Sequence, residues 1–333
     1  MKNILLLCGG DGAEHQISLI SAKFIESKLN EIEEYNVITV EIHDKKFITA
    51  NGSVGFFNKD SEFVVDDNNY FIDCVVPCIH GVPGETGDIQ SFLEILNIPY
   101  IGCKSEASHN CFNKITTKLY LSALNIPNTP FLIIPRKDEI FKQKALEAFD
   151  VWQDVYVKAA SQGSSIGCYH VTKKEDLWDS IVEAFMYSDD VIVEKTIKHR
   201  ELECAAYEMD GNIFITNPGE IIMPDNLFYT FDEKYSKDSG STTTVEPQNL
   251  SEEIKEQIRN YARAAFVGLK LRDLSRIDFF LSDSDEIIIN EINTFPGMTP
   301  ISMFPKLLEH NGHQITDFFK KAIERAIAEQ KQL

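Results

Sequence analysis

Residues 3–8, Asn-Ile-Leu-Leu-Leu-Cys, run directly into Gly9-Gly10-Asp11-Gly12, and a periodic stretch from Ser18 to Leu29 follows. A continuous apolar run this short reads as a strand. Strand, glycine-rich turn and helix, in that order, open a parallel α/β unit. Sheets of that kind bind ligands beyond the carboxyl ends of their strands, which is where this turn sits. The glycines lack the G-x-G-x-x-G spacing, which disfavours a dinucleotide. Glu14 at the end of the turn can hold an ammonium group; the plainer alternative is an acid opening a helix. Working outward, Tyr35–Ile42 and Phe71–Ile79 are further strands, the second apolar enough to be buried on both faces. Residues 43–70 are polar with weak strand signals. A loop at 80–87, a helix at Asp88–Leu96 and a strand at Tyr100–Gly102 close the unit near residue 103.

The chain has 333 residues, enough for two to three domains. It is 43% apolar and 25% charged, as folded soluble proteins are. No apolar stretch approaches the roughly 20 residues of a membrane span. The 52 acidic residues exceed the 32 basic ones, for a net charge of −20, and no basic run is longer than two. That field repels nucleic acid. Seven cysteines form no Cys-x-x-Cys pair and lie mostly in apolar runs, as reduced packing residues of a cytoplasmic protein do.

Residues 105–124 read as one helix, 131–200 as alternating strands and helices, and 201–223 as strand. Residues 224–250 have no persuasive period, which in a loop of this length points to function or disorder. Ser251–Leu269 is a helix capped by Ser251, and a last amphipathic helix spans about 316–330.

The sharpest chemical signal is Arg276-Ile277-Asp278 followed by Asn290-Glu291-Ile292-Asn293-Thr294-Phe295-Pro296-Gly297. Strand alternation puts Arg276 with Asp278 on one face and Glu291 with Asn293 on one face of the next strand. Carboxylate and amide oxygens suit Mg²⁺, and an arginine beside them suits phosphoryl oxygens. The alternative is a solvated hairpin. Lys158 to Gly167, KAASQGSSIG, is a strand ending in lysine and running into a small flexible loop that can cradle phosphate, though it is not a Walker A sequence. His80 with Glu85, and Lys234-Tyr235 beside Asp232 and Glu233, are weaker candidates. Each is also readable as an ordinary loop.

Together these stretches resemble the D-alanine–D-alanine ligases of the ATP-grasp superfamily over residues 2 to about 312. The motifs are GGDGAEHQIS (9–18), HGVPGETGDIQ (80–90), KAASQGSSIG (158–167), EKTIKHRELE (194–203), FDEKY (231–235), RIDF (276–279) and NEINTFPGMTPISM (290–303). The resemblance implies an α/β, three-domain ATP-grasp architecture. An N-terminal open parallel, Rossmann-like sheet domain (1–103) would bind substrate. A central ATP-grasp domain (104–196) would carry the nucleotide loop 158–167, and a C-terminal one (197–333) the lid 224–250.

It implies ATP, two Mg²⁺ ions with Mn²⁺ as a substitute, and D-alanyl-D-alanine made through D-alanyl phosphate for peptidoglycan synthesis. Glu14 would hold the first D-alanine's ammonium, with His80 near its carboxylate. Lys114, Lys158 and Lys234 would contact phosphates, and Glu194, Lys195, Ile197 and Glu201 would surround adenine and ribose. Ser164 and Tyr235 would latch the lid to Glu14. Arg276 and the Gly297 N–H would stabilise the transferred phosphoryl and the oxyanion. Asp278, Glu291 and Asn293 would hold the metals, and Ser302 and Met303 the second D-alanine. Departures from the family pattern are Ala159, Gln162, Thr86 and the Ser/Thr-rich 239–244 stretch. The resemblance also implies a cytoplasmic homodimer acting on small molecules, with no nucleic-acid or membrane partner. A ligase for another pair, such as D-Ala with D-Ser, and a non-catalytic nucleotide-binding relative remain open.

Overall fold

A computed structural model describes residues 1–222 and 242–330. Strand β1 (Lys2–Gly9) lies one strand in from the edge of a seven-stranded sheet, paired in parallel with β2 (Tyr35–His43) and β7 (Cys74–Pro77). Its run of apolar residues is explained by two covered faces. Leu5 and Leu7 pack with Val40, Val75 and the Ile89 and Leu93 side chains of α2 (Asp88–Ile95). Ile4, Leu6 and Cys8 pack with Ala22 and Ile25 of α1 (His15–Leu29), in a core that also takes in Phe318 and Phe319 near the carboxyl end of the chain.

The polar stretch 43–70 supplies four short antiparallel strands, β3 (Lys46–Thr49), β4 (Val54–Phe57), β5 (Phe63–Val65) and β6 (Asn68–Tyr70), that extend the parallel part. Two of their turns use paired aspartate or lysine residues in the left-handed region, Asp44-Lys45 and Asp66-Asp67. Such residues read as plain polar loop in sequence. The Tyr100 region makes only an isolated bridge to Val75.

The second sheet has the order β10 (Cys168–Val171), β9 (Val155–Ala159), β11 (Val191–Lys195), β8 (Phe131–Ile134), antiparallel throughout. Val155, Val157, Val191 and Val193 face α5 (Glu139–Trp152) and α6 (Leu177–Ala184). Alternation therefore turns Tyr156, Lys158, Ile192 and Glu194 to the opposite face.

The third sheet pairs β12 (His199–Met209) with β13 (Asn212–Ile215), β14 (Gly219–Ile222) and β16 (Leu274–Ser282). β15 (Thr242–Thr244) and β17 (Ile287–Asn293) flank it. Helix α7 (Glu252–Gly268), capped by the Ser251 side chain, covers one face, while α8 (Met303–His310) and α9 (Ile315–Gln330) join the core shared with α1. Buried Asp273 ties these parts together: it accepts from the Gly102 N–H at 2.7 Å and from Arg325 Nε at 2.9 Å.

The single helix expected over 105–124 is two, α3 (Ser105–Phe112) and α4 (Lys114–Ala123). Asn113 between them is extended, and its side chain accepts from the Ile115 and Thr116 N–H groups. The asparagine satisfies backbone donors that a continuous helix would satisfy itself.

Candidate active site

Two cavities, of about 800 and 740 Å³, share a wall made of Lys114, Gln162, Gly163, Ser164, Ile221, Asn290 and Glu291. One is lined by Glu14, His80, Arg276, Asn293, Gly297, Ser302 and Met303 among others. The other is lined by Lys158, Glu194, Lys195, Ile197 and Glu201 among others. Asp278 is buried behind Arg276. Thus sixteen of the expected residues fall in or against one bipartite site, while Lys234 and Tyr235, with Asp232, Glu233 and most of the 224–250 loop, lie outside the described residues.

The second cavity is built on the cavity face of the second sheet. Lys158 Nζ is 2.7 Å from one oxygen of Glu194, and Lys118 Nζ is 3.1 Å from the other. Glu194 is 3% exposed and Lys118 1%. Burial opposes charge on Glu194, but the two ammonium groups outweigh it and hold the carboxyl at about 2. Burial likewise disfavours a charged Lys158, and Glu194 more than restores it, so its pKa is raised. Lys118 lies deeper and beside another lysine, and burial lowers its pKa. Lys158 is therefore the firmer cation of the two, and the Glu194 carboxylate is engaged as their shared counter-ion.

The loop after β9 is closed by the Ala159 N–H donating to the Gly167 carbonyl at 2.8 Å. Lys114 Nζ donates to the Gln162 carbonyl at 2.5 Å, and Gln162 donates to the Tyr187 carbonyl at 3.0 Å. Burial lowers the Lys114 pKa. Ser164 reaches across to the first sheet, where its hydroxyl donates to a Glu14 carboxylate oxygen. Gly163 permits this approach, because a Cβ there would stand 2.7 Å from the same carboxylate.

In the first cavity, His80 Nε2 is 2.9 Å from Ser21 Oγ, which accepts from the Met298 N–H at 3.2 Å. Burial lowers the His80 pKa against an opposing pull from Glu14. Glu85 accepts from the Gly81 N–H at 2.9 Å, and burial together with the Glu14 charge pushes it up to about 8. Ser302 Oγ accepts from the Thr299 N–H at 3.0 Å and sits within 3.1 Å of where a Gly297 Cβ would be.

Between the cavities, Asp278 stands opposite Glu291, and Arg276 opposite Asn293. The ladder then shifts, so Phe279 pairs with Ile289 and Asn290 is the extra residue. Such a bulge re-aims side chains, and here Asn290 lines both cavities. Arg276 grips both Asp278 oxygens at 2.7 Å and lies 3.2 Å from Glu203, while Asn293 Nδ2 donates to Asp278 at 3.0 Å. Burial disfavours the guanidinium charge, but Asp278 and Glu203 raise the Arg276 pKa. The donors offered here are all hard oxygens from adjacent strands, which fits Mg²⁺ or Mn²⁺.

Sequence reasoning missed Lys118 and Glu203. Glu203 was detectable in principle, because alternation from Glu201 along β12 sets it on the same face, opposite Asp278. Lys118 offered only its spacing of one helical turn from Lys114. None of the seven cysteines forms a disulfide, and six are buried. Among the described residues no helix is long and apolar enough to cross a membrane.

Comparison with known proteins matches residues 3–103 to the family described as D-ala D-ala ligase N-terminus and 120–324 to D-ala D-ala ligase C-terminus. The chain is 54% identical over 328 residues to the D-alanine–D-alanine ligase of Vibrio campbellii, covering 98% of this chain and all of that protein. It superimposes on the crystal structure of D-alanyl-alanine synthetase A from Vibrio cholerae with a TM-score of 0.94, at 49% identity and 98% coverage of both chains. The D-Ala:D-Ser ligase VanG from Enterococcus faecalis is also similar, with a TM-score of 0.85 at 26% identity, over 98% of this chain and 99% of that one.

Proposed function

The chain belongs to the D-alanine–D-alanine ligase family and joins two D-alanines in an ADP-forming reaction, and we propose that the residues gathered at the shared wall carry it in the following roles. The observation that carries this reading is the wall itself. A phosphate-type loop, Lys114 and an oxygen-rich strand pair stand between a nucleotide-sized cavity and one lined by Glu14, Arg276 and Ser302.

ATP enters the cavity over the second sheet. Lys195, Ile197 and Glu201 line its outer part, Glu194 forms its floor, and Lys114 and Lys158 hold phosphates, joined by Lys234 from the 224–250 segment. Glu14 holds the first D-alanine's ammonium, and His80 stands near its carboxylate. That carboxylate takes the γ-phosphoryl group and becomes D-alanyl phosphate. The second D-alanine's amine attacks the acyl carbon, its carboxylate held by Ser302 beside Met303, and phosphate leaves. Arg276 and the Gly297 N–H stabilise the charge on the transferring phosphoryl and the tetrahedral oxyanion. Asp278, Glu291 and Asn293 would hold two Mg²⁺ ions, or Mn²⁺, which when bound neutralise phosphate oxygens. The protein's work is positioning, charge compensation and exclusion of water from an acyl phosphate. The Ser164–Glu14 contact joins nucleotide loop and substrate domain, and Tyr235 completes that latch.

We assign residues 1–103 to the substrate domain, 104–196 to the central ATP-grasp domain and 197–333 to the C-terminal one. The enzyme works as a cytoplasmic homodimer whose product is a peptidoglycan precursor. The absence of disulfides among seven cysteines is consistent with that compartment.

The test is phosphate release from ATP and Mg²⁺ with D-alanine, L-alanine, D-serine or no amino acid. Release with D-alanine alone, with dipeptide in the product, is expected. Release absent with D-alanine and restored only when D-serine is added beside it, as a fifth arm, would move the acceptor assignment and point to the pocket around Ser302.

A further inference from the structure

The glycine-rich turn serves the active site through Glu14, yet its next residue belongs to another cluster. His15, Glu41 and His43 each offer a ligand atom, and the three atoms lie within 4.8 Å of one another. None of the three lines either cavity. His15 Nδ1 is 2.7 Å from the Gly10 carbonyl, which can only accept, so the ring proton belongs on Nδ1. Nε2 then faces the Glu41 carboxylate at 3.1 Å. A histidine fixed by a backbone carbonyl through one nitrogen and presenting the other is how metal-bound imidazoles are held. The 3.1 Å separation is close to the ~3.3 Å between two tetrahedral ligands that each stand about 2.0–2.1 Å from zinc.

The surroundings are built to keep these groups together. Gly9 has a positive φ of 83°, and a Cβ there would meet the Ile42 carbonyl at 2.6 Å, Glu41 Cγ at 3.0 Å and His15 Cε1 at 3.1 Å. The missing side chain is what lets His15 and Glu41 meet. Asp11 accepts from the N–H groups of Asp44 at 2.7 Å and Lys45 at 3.3 Å, which fastens the β2–β3 hairpin to the turn. That fastening brings the His43 ring to 5.3 Å from the His15 ring. His43 is 54% exposed, so an ion can enter from solvent.

We propose that His15, Glu41 and His43 bind one divalent transition-metal ion of the zinc type, tying the turn that carries Glu14 to the β2–β3 hairpin. Two imidazoles and one carboxylate favour Zn²⁺ or Co²⁺ over the oxygen-seeking Mg²⁺ of the catalytic wall. Solvent would complete the coordination, as in three-ligand zinc sites.

The experiment is titration of chelator-treated full-length protein with Co²⁺, in excess Mg²⁺ to fill the oxygen site, followed by visible absorption and displacement by Zn²⁺. One equivalent is expected to give the intense bands of low-coordinate Co²⁺, abolished by Zn²⁺. His43→Ala should weaken binding about tenfold or more and bleach the bands, and Glu291→Gln should leave them intact. His43→Asn is a second variant, and circular dichroism of both without metal confirms folding. Absence of the bands, bands that survive in folded His43→Ala, or bands lost only in Glu291→Gln would each overturn the proposal.

Discussion

Replacing Glu194 by glutamine removes one charge and leaves two buried ammonium groups facing an amide. In the native protein the carboxyl pKa falls from 4.5 to about 2 although burial opposes it. At ~1.36 kcal/mol per tenfold change in a proton equilibrium, that preference for the charged form is worth about 3 kcal/mol. Removing one member of a buried pair costs about 3–5 kcal/mol by the independent route of leaving a charge unpaired. Exposures of 1% and 3% for Lys118 and Glu194 leave little solvent screening to discount. Among the described residues, Lys118 then keeps a Thr129 carbonyl at 3.4 Å and the Phe131 ring, 5.5 Å away, as partners. At roughly 2–4 °C per kcal/mol for a unit of this size, Glu194→Gln should lower the melting temperature at pH 7 by about 6–12 °C. Adding Lys118→Met should recover part of that loss, because it removes the stranded cation. The depressed carboxyl pKa also fixes the pH window. Its contribution is present above pH 4.5 and is lost as pH falls toward about 2. Scanning calorimetry of the wild type, the single variant and the double variant at pH 7 tests the magnitude. A fall of less than about 3 °C, or a double variant less stable than Glu194→Gln, would refute the assignment of Glu194 as the counter-ion.

Three further outcomes follow from the same geometry. Asp278→Asn should lower turnover by about 10²–10³-fold while the protein stays folded, checked by steady-state phosphate release beside circular dichroism; full activity would remove Asp278 from the phosphoryl site. Glu85, pushed up to about 8 by burial and by Glu14, binds its proton more tightly folded than unfolded, so stability is lost as pH rises from 4.5 through about 8. Melting temperatures at pH 6 and 9 should fall for wild type and hold steady for Glu85→Gln, and parallel falls would count against a neutral Glu85. Gly84→Ala would put a Cβ 2.0 Å from the Ile79 carbonyl, and backbone cannot swing aside. A loss of about 1–3 kcal/mol is expected, with a higher KM for D-alanine because the loop carries His80; a melting temperature equal to wild type would show that the loop yields freely.

What could be read from sequence, and what could not, divides by the range of the interaction. NILLLC was legible because burial on both faces leaves an unbroken apolar run, and Leu5 and Ile4 do face different cores. The Ser251 cap was legible because a cap acts over three residues, and its side chain does accept from the Ile254 N–H. Arg276, Asp278, Glu291 and Asn293 were legible because alternation is local and their two strands are neighbours in both sequence and sheet. The strands of 43–70 were not, because their left-handed turns use aspartate and lysine pairs that composition cannot tell from loop. The break at Asn113 was hidden for a related reason: a mid-helix asparagine looks like a surface residue until its side chain is seen taking two backbone donors. Glu194 marks the limit. In sequence it ends an apolar strand and reads as a residue for adenine or ribose, while Lys118 reads as one more lysine on an amphipathic helix. Their pairing depends on α4 docking over the cavity face of the second sheet, and the third member, Lys158, stands 36 residues from Glu194 along the chain. No short-range period carries that information. A buried lysine of this kind becomes visible only when the fold shows which face of the helix has lost its water.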